Sequence, residues 1–470
     1  MSVNTAWFIL EIASIMVLMY FLLLNATYGI TSIIAFAALR SHARKIRTLG
    51  VEELATIAGV PPVTLVAPAY NEEKTCVDSV NAFLTLRYPD FEVLVVNDGS
   101  RDKTLAVLKD AYQLVPSTRL PTASIATKNV RAVYHSRLHS NLWVIDKENG
   151  GKSDALNVGI NFCRTTLFCA MDADTLLERD ALLRIVRPFL EDRRTVVTGG
   201  IIRIANGCRI TAGEIDSVAL PRGMLARYQV VEYLRAFLSG RIGWNALNGT
   251  LIVSGAFGLL KRSMVVEVGG YDTTTVGEDM ELVVRIHRHC LENAIPYRIT
   301  FVPDPVAWTE CPENFMVLMR QRDRWQRGLM QALTMHRRML LNPRYGAIGM
   351  LAFPYFYFLE MMGPVIEVVG YLLLTISLAT GSLTSGFSWA FLFLAIIMGI
   401  VLSISAVGLG ELSLRRYPNP KDLALLFAVS LTENFGYRQI ITIFRMMGTM
   451  SALRKKKGWG HMVRRGFRPA

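Results

Sequence analysis

Hydrophobic and polar positions divide the chain into three regimes. Residues Trp7 to Leu39 are almost wholly apolar, interrupted by Glu11 and by Asn25 and Thr27. That exceeds the ~20 residues a helix needs to cross a bilayer, so the pattern predicts one long tilted membrane helix. A secretory leader would have a shorter apolar core behind a basic start. Here no Lys or Arg precedes the run, and Arg40, Arg44, Lys45 and Arg47 follow it. Positive charge on that side puts the amino terminus outside and Val51 onward in the cytoplasm.

After Pro61-Pro62 the pattern turns to short apolar runs alternating with helical stretches. Val63 to Ala67 reads as a buried strand, and Pro68-Ala69-Tyr70-Asn71-Glu72-Glu73 as a turn opening a helix. Phe91 to Val96 is the next strand, closed by Asn97-Asp98-Gly99-Ser100, and a helix begins at Arg101. Pro116 to Asn141 is polar and poorly periodic, an excursion over the surface. Leu142 to Ile145 is again a strand, and Asn149 to Asn157 opens a helix. Leu167 to Met171 runs straight into Asp172-Ala173-Asp174, followed by a helix over Leu176 to Leu190. This alternation predicts a parallel sheet with crossover helices. Such sheets place ligands at the carboxyl ends of their strands, the edge that carries Glu72, Asp98, Asp172 and Asp174.

From Ile348 the chain is apolar again. Met350 to Leu378, with Pro354, Glu360, Pro364 and Glu367, reads as an interfacial piece followed by a span; Trp389 to Leu412 is a cleaner span. Arg415, Arg416 and Lys421 return the chain to the cytoplasm. Leu423 to Met447 is broken by Glu433, Asn434, Gly436 and Arg438. A basic tail without acidic residues follows, so this stretch is expected to lie in or re-enter the membrane. Ionisable groups at membrane depth face a bundle interior or an aqueous path. Glu360, Glu367, Glu433 and Arg438 therefore either line a polar passage or pair as structural glue. The expected domains are an anchor (1–47), a globular domain (61–328), an interfacial linker (329–345), membrane and interfacial helices (346–450) and a basic tail (451–470).

Composition refines this picture only modestly. A formal net charge of +13 suits an anionic ligand or an anionic membrane face. No basic patch interleaved with aromatics points to nucleic acid. The six cysteines are scattered without metal-like spacing and read as free thiols of a reducing compartment.

Asp172 and Asp174 alternate along an extended strand, so both project from one face. Two hard carboxylates there can share a divalent cation, which in turn can hold a diphosphate; the plainer reading is an Asp-rich turn capping a helix. Gly150-Gly151-Lys152 either sets backbone N–H groups and an ammonium against phosphate or simply closes a turn. Ser254-Gly255-Ala256-Phe257-Gly258 is a small-residue loop that permits close approach of a ligand. Asp279, behind Gly277-Glu278, either acts chemically or serves as a charge favoured by the helix dipole. Gln321 to Gly328 reads as a basic interfacial helix with an anchoring Trp325, compatible with Arg324 and Trp325 facing inward.

These segments together carry a resemblance. Pro68-Ala69-Tyr70-Asn71-Glu72, Asn97-Asp98-Gly99-Ser100, Gly151-Lys152-Ser153-Asp154-Ala155-Leu156-Asn157, Asp172-Ala173-Asp174, Gly277-Glu278-Asp279 and Gln321-Arg322-Asp323-Arg324-Trp325 occur in the order seen in family 2 glycosyltransferases. More narrowly, the chain resembles the membrane-embedded processive synthases of cellulose, hyaluronan, chitin and poly-N-acetylglucosamine, over about Pro61 to Gly328. The resemblance implies a GT-A-like (Rossmann-like) α/β cytosolic domain fused to an α-helical transmembrane region of the inner (plasma) membrane. It implies a UDP-sugar donor, with Asp98 on the uracil and Tyr70 and Glu72 lining the nucleoside. Asp172 and Asp174 would meet the sugar and a diphosphate bound to Mg²⁺ or Mn²⁺, with Lys152 in the donor pocket. Asp279, with Glu278 beside it, would be the general base. Arg324 would steady the departing diphosphate. Gln321, Trp325, Ser254 and Gly255 would serve the acceptor, a growing polysaccharide. Membrane lipids and accessory subunits are the further partners implied.

Direct displacement at an anomeric carbon needs one base and cationic help for the leaving group, not a covalent enzyme intermediate. The implied product is therefore a β-linkage from an α-linked donor. Two departures stand out: Asn97 where an acid is frequent, and Ala69 where a small hydroxyl residue is. The tail after Gly460 is expected to be too short for an appended regulatory domain. Competing expectations are non-processive transfer to a polyprenyl phosphate or lipid, and a catalytically silent membrane scaffold.

Overall fold

The computed structural model describes residues 3–48, 59–172, 175–211, 214–380, 385–414, 417 and 419–456. The chain forms two compact units. One is built from Ser41–Arg222 and Thr250–Cys311, the other from Met1–Arg40, Gly223–Gly249 and Pro312–Gly460. Helix α1 spans Val3–Thr48.

The first unit alternates strands and helices as the hydrophobic pattern demands. In chain order these are β1 (Val63–Ala69), α2 (Cys76–Leu84), β2 (Phe91–Asp98), α3 (Thr104–Tyr112), β3 (Leu114–Pro116), β4 (Val130–Ser136), β5 (Leu142–Lys147) and α4 (Lys152–Phe162). Then come β6 (Leu167–Met171), β7 (Thr175–Leu177), α5 (Ala181–Glu191), β8 (Thr195–Ile204), the hairpin β9 (Arg209–Thr211) and β10 (Glu214–Ser217), and β11 (Phe257–Lys261). Helix α6 (Arg262–Glu267), helix α7 (Glu278–Glu292) and strand β12 (Arg298–Thr309) complete the unit. All strands but β9 and β10 form one sheet in the order β3-β4-β5-β2-β1-β6-β11-β8-β12-β7.

The sheet centre is parallel, as the alternation requires: β5, β2, β1 and β6 run together. The sheet is mixed at its flanks: β11 runs antiparallel between β6 and β8. One correction concerns Pro116 to Asn141, which is not all surface loop. Val130–Ser136 is only partly buried, so its apolar signal is weak, yet it pairs antiparallel with β5. A second is the helix expected from Leu176. Thr175–Leu177 is instead a short strand on β12, and the helix starts at Ala181.

Strands β6 and β8 are buried at every position. A sheet covered on both faces selects continuous apolar runs over alternation. Helix α4 comes unusually close to β1. A Cβ on Gly159 would lie 2.2 Å from Val66 Cγ1, so only glycine fits this crossing. The resulting core gathers Val66, Leu94, Leu156, Val158, Ile160 and Phe168, all at most 1 % exposed. Each such side chain contributes about 1.5–3 kcal/mol of burial.

The second unit is helical. Among the described residues two helices are long and apolar enough to cross a membrane, Phe8–Arg44 and Gly386–Leu412. A third candidate is the pair Ile348–Met361 and Gly363–Ala379, bent by 44°, where Pro364 lacks the N–H that would continue the ladder. Pro420–Thr432 and Tyr437–Leu453 are separate helices, broken at Gly436 with φ 98°. The stretch Leu423 to Met447 is therefore not one continuous helix. Phe8, Ile15, Met16, Met19, Leu23 and Trp389 are outward and exposed, an apolar surface suited to lipid.

Glu360, Glu367, Glu433 and Arg438 each have a partner. Glu433 meets Arg235 and the Ser403 hydroxyl. Glu360 accepts from the Tyr28 and Tyr355 hydroxyls and faces Arg445. Thr442 donates to Glu367, and Arg438 to Asn434. Their side-chain partners are other residues of the unit, not one another.

Candidate active site

The carboxyl edge of the sheet gathers one charged cluster. Asp172 follows the end of β6, and β11 begins with Phe257 opposite Met171, which brings the loop Ser254-Gly255-Ala256 to the same place. Lys152 opens α4, and Glu278 and Asp279 open α7. The Lys152 Nζ lies 2.6 Å from Asp172 Oδ1 and 3.2 Å from Glu278 Oε1. Burial alone would lower the Lys152 pKa. The carboxylates of Asp172, Glu278 and Asp279 outweigh it and raise the pKa, so this side chain stays a cation.

Asp279 is held from two sides. Its Oδ2 accepts from the Gly255 N–H at 3.0 Å, and its Oδ1 from the Met280 N–H at 2.8 Å. A Cβ on Gly255 would stand 3.1 Å from Lys152 Nζ and 3.4 Å from Asp279 Oδ2, so glycine is what lets the loop approach. Three carboxylates around one ammonium leave a surplus of negative charge facing the sheet edge, which favours a further cation.

Asp174, the expected principal metal ligand, lies outside the described residues. Among the described residues no three His, Cys, Asp or Glu side chains converge as a complete metal site. The donor set nonetheless fits a hard cation of the Mg²⁺ type, which takes one or two carboxylates from the protein and its other oxygens from substrate phosphates. Asp172, about one-third exposed in its side chain, is placed to supply one of them.

On the neighbouring strands, the turns after β1 and β2 interlock. Asn71, at φ 56°, accepts from the Arg101 N–H and donates its own N–H to Ser100, while the Glu73 N–H donates to Asp102. Glu72 is buried and accepts from the Thr75 hydroxyl; Tyr70 is 44 % exposed beside it. Asp98 is 3 % exposed, and its acceptor positions are filled from within the protein. Oδ1 takes Lys147 Nζ (2.6 Å) and the Gly150 N–H (2.9 Å). Oδ2 takes the Gly151 N–H (2.8 Å) and Asn149 Nδ2 (3.2 Å). The two glycine N–H groups thus close a turn on Asp98, and the ammonium of Lys152 reaches the acidic cluster. Asn97, the departure noted above, donates to Asp146 at 2.6 Å; a second acid there would face that carboxylate.

Sequence reasoning did not single out Lys147, and gave Asp154 and Asn157 no role beyond their place in the motif. Lys147 is a charge ending an apolar strand, a signal that could have singled it out. Asn157 clamps the approach to α7, donating to the Tyr271 carbonyl and accepting the Tyr271 N–H at 2.7 Å. Gly270, with φ 77°, passes so near that a Cβ would lie 2.5 Å from Asn157 Oδ1.

Gln321, Arg324 and Trp325 lie in the helical unit, on α8 (Phe315–Met335). Trp325 is 42 % exposed and carries the Arg322 guanidinium 4.1 Å from its ring centre. Arg322 is itself tied to Glu232 at 3.0 Å. Gln321 is buried. Arg322 was also passed over, although its spacing of three from Trp325 puts both on one helix face.

Comparison with known proteins decides the family. The pattern of glycosyl transferase family group 2 matches residues 167–404, just over half of the chain, and that of glycosyl transferase family 2 matches residues 64–263. The chain is a family 2 glycosyltransferase. It is 27% identical over 267 residues to the poly-beta-1,6-N-acetyl-D-glucosamine synthase of Staphylococcus aureus strain COL, covering 57% of this chain and 54% of that protein. The synthase of Staphylococcus epidermidis is 26% identical over 269 residues, 57% of this chain and 55% of that protein. The chain thus matches about half the length of these curated relatives. A mannosyltransferase of Pyrobaculum calidifontis, solved with GDP-Man and Mn2+, has the same fold: TM-score 0.56 at 18% identity, over 92% of this chain and 100% of that one. The sheet unit of this glycosyltransferase is accordingly GT-A-like.

Proposed function

We propose that this glycosyltransferase moves a sugar from a UDP-sugar onto the growing end of a β-linked polysaccharide, with inversion at the anomeric carbon. The observation that carries the reading is Asp279, a carboxylate fixed by the Gly255 N–H beside the Lys152–Asp172–Glu278 cluster. A carboxylate held in place in this way is a competent general base.

Asp279 takes the proton of the acceptor hydroxyl as that oxygen forms its bond to the anomeric carbon. The bond from that carbon to the diphosphate breaks, and the diphosphate leaves with the electron pair. Lys152 sits in the donor pocket and binds the donor diphosphate, and Arg324 steadies the diphosphate as it departs. Glu278 holds Lys152 in place. Tyr70 and Glu72 line the nucleoside, and Gln321, Trp325, Ser254 and Gly255 serve the acceptor. Asp172, with Asp174, would hold Mg²⁺ or Mn²⁺, which supplies Lewis-acid stabilisation of the diphosphate when bound. The relatives' product makes UDP-N-acetylglucosamine the first donor to try.

The same reading places the chain in the plasma membrane as a multi-pass protein with its sheet unit in the cytoplasm. It has the polymer passing outward through the helical unit, aided by lipids and accessory subunits. A second reading, transfer to a polyprenyl phosphate or another lipid, is less favoured because Trp325 offers a stacking face for a sugar acceptor.

The test is detergent-purified full chain with Mn²⁺ and a panel of UDP-sugars and GDP-mannose, with nucleotide release and product mass as readouts. Release from one UDP-sugar with a polymeric product supports the proposal. Release only on addition of a lipid acceptor supports the second reading.

A further inference from the structure

The sheet unit contains a buried ion cluster whose members Lys147 and Asp154 have no part in the transfer steps above. Lys147, the last residue of β5, is fully buried, and its ammonium touches Asp98 Oδ1 at 2.6 Å, Asp154 Oδ1 at 2.6 Å and the Glu148 carbonyl. All three of its donors are therefore satisfied. The parallel register opposes Asp98 to Lys147 across the strand pair, so the sheet itself sets this contact. Asp154 also accepts the Lys128 N–H at 3.0 Å, which ties in the edge segment before β4.

Removing two carboxylates and an ammonium from water is costly, and an apolar trio of similar volume would commonly be no less stable. A cluster retained at that cost calls for a use other than stability. Its partners indicate which. Asp98 also accepts the N–H groups of Gly150 and Gly151, and Asp154 lies in the first turn of α4. A Cβ on Gly150 would lie 2.5 Å from the Asp154 carboxylate, and one on Gly99 would lie 2.7 Å from Asn149 N, so the turn is clamped on both sides. The one residue between Gly151 and Asp154 with a long charged side chain is Lys152.

We infer that Lys147, with Asp98 and Asp154, is a positioning residue: it fixes the Gly150-Gly151 turn and so aims the Lys152 ammonium at the donor diphosphate. The inference rests on the reading of Lys152 as a donor-side cation. Lys147 never meets substrate; it acts through the direction in which α4 begins. A misplacement on the order of 1 Å at such a group costs up to ~100-fold in rate or binding.

The test is a double-mutant cycle in the full chain, reading donor KM, kcat and melting temperature. Lys147→Met alone strands two buried carboxylates, so it is combined with Asp154→Asn. Asn149→Ala, which removes one amide from Asp98, provides a milder second variant that folds if the first does not. Both are expected to raise donor KM about tenfold with kcat nearly unchanged, and to add nothing to Lys152→Ala. A donor KM unchanged in folded variants, or an effect that adds in full to that of Lys152→Ala, overturns the inference. A Lys152→Ala chain with wild-type donor KM instead overturns the donor-side reading, and this inference falls with it.

Discussion

The Asp279 carboxylate accepts the backbone N–H of Gly255 at 3.0 Å, so the acid opening α7 is fixed by the loop that precedes β11. This orients one oxygen pair of Asp279 without any side-chain partner that a substitution could remove. Asp279→Asn keeps size and one of the two backbone hydrogen bonds but cannot take a proton. Sugar transfer is expected to fall by about 10²–10⁴-fold, with an unchanged melting temperature. Transfer at the wild-type rate would remove Asp279 as the base.

Gly255→Ala probes the same contact from the other side. The new methyl would stand 3.1 Å from Lys152 Nζ, the far end of a flexible chain that can move aside. The expected result is a folded protein, melting within a few degrees of wild type, whose transfer rate drops about tenfold or more. Circular dichroism and a nucleotide-release assay separate the two effects.

At Gly159 the outcome is reversed, because the obstacle is the branched Val66 side chain on the central strand, 2.2 Å from the added Cβ. Gly159→Ala is expected to cost about 1–3 kcal/mol by overpacking. Gly159→Ala with Val66→Ala should recover part of that loss, as read by chemical denaturation of the purified protein.

His287 makes the sheet unit acid-sensitive. It is 3 % exposed, donates from Nε2 to the Thr250 carbonyl and accepts from the Tyr297 hydroxyl at Nδ1. Burial depresses its pKa to about 4, against a small opposing effect of the Thr250 contact. The unfolded chain, near 6.5 at this residue, binds the proton first. Stability is therefore full above pH ~6.5 and is lost as pH falls toward 4, by about 3 kcal/mol in all. Melting temperature measured across that range should show this slope, and His287→Gln should flatten it.

A chelator tests the cation. EDTA should abolish transfer, and Mn²⁺ or Mg²⁺ should restore it, since the cluster of Asp172, Glu278 and Asp279 retains a surplus of negative charge around Lys152. Full activity in EDTA would contradict a divalent requirement.

How far the sequence alone reached follows from which forces act locally. The central strands were readable because a sheet covered on both faces needs unbroken apolar runs, and Val63, Phe91, Leu142 and Leu167 begin such runs. Strand β4 was missed since, one place in from the sheet's edge, it buries little and shows little pattern. The start of α5 was misplaced because Thr175–Leu177 owes its extended form to pairing with Trp308 and its neighbours, far along the chain. The acidic residues of the site were found from type and order. Their distances to Lys152 were not, because one strand end and two helix starts must first be brought together. Lys147 was passed over for a related reason: a lysine reads as exposed until the register with Asp98 buries it.

The central claim is base-assisted sugar transfer from a nucleotide donor, and one measurement meets it most directly. Purified full-length chain and its Asp279→Asn variant would be given Mn²⁺ and UDP-N-acetylglucosamine, with UDP release and product mass followed together. Steady UDP release with a polymeric product from the wild type, lost in the variant of equal melting temperature, is the predicted result. Equal release from both proteins, or none from the folded wild type with any UDP-sugar, would contradict it.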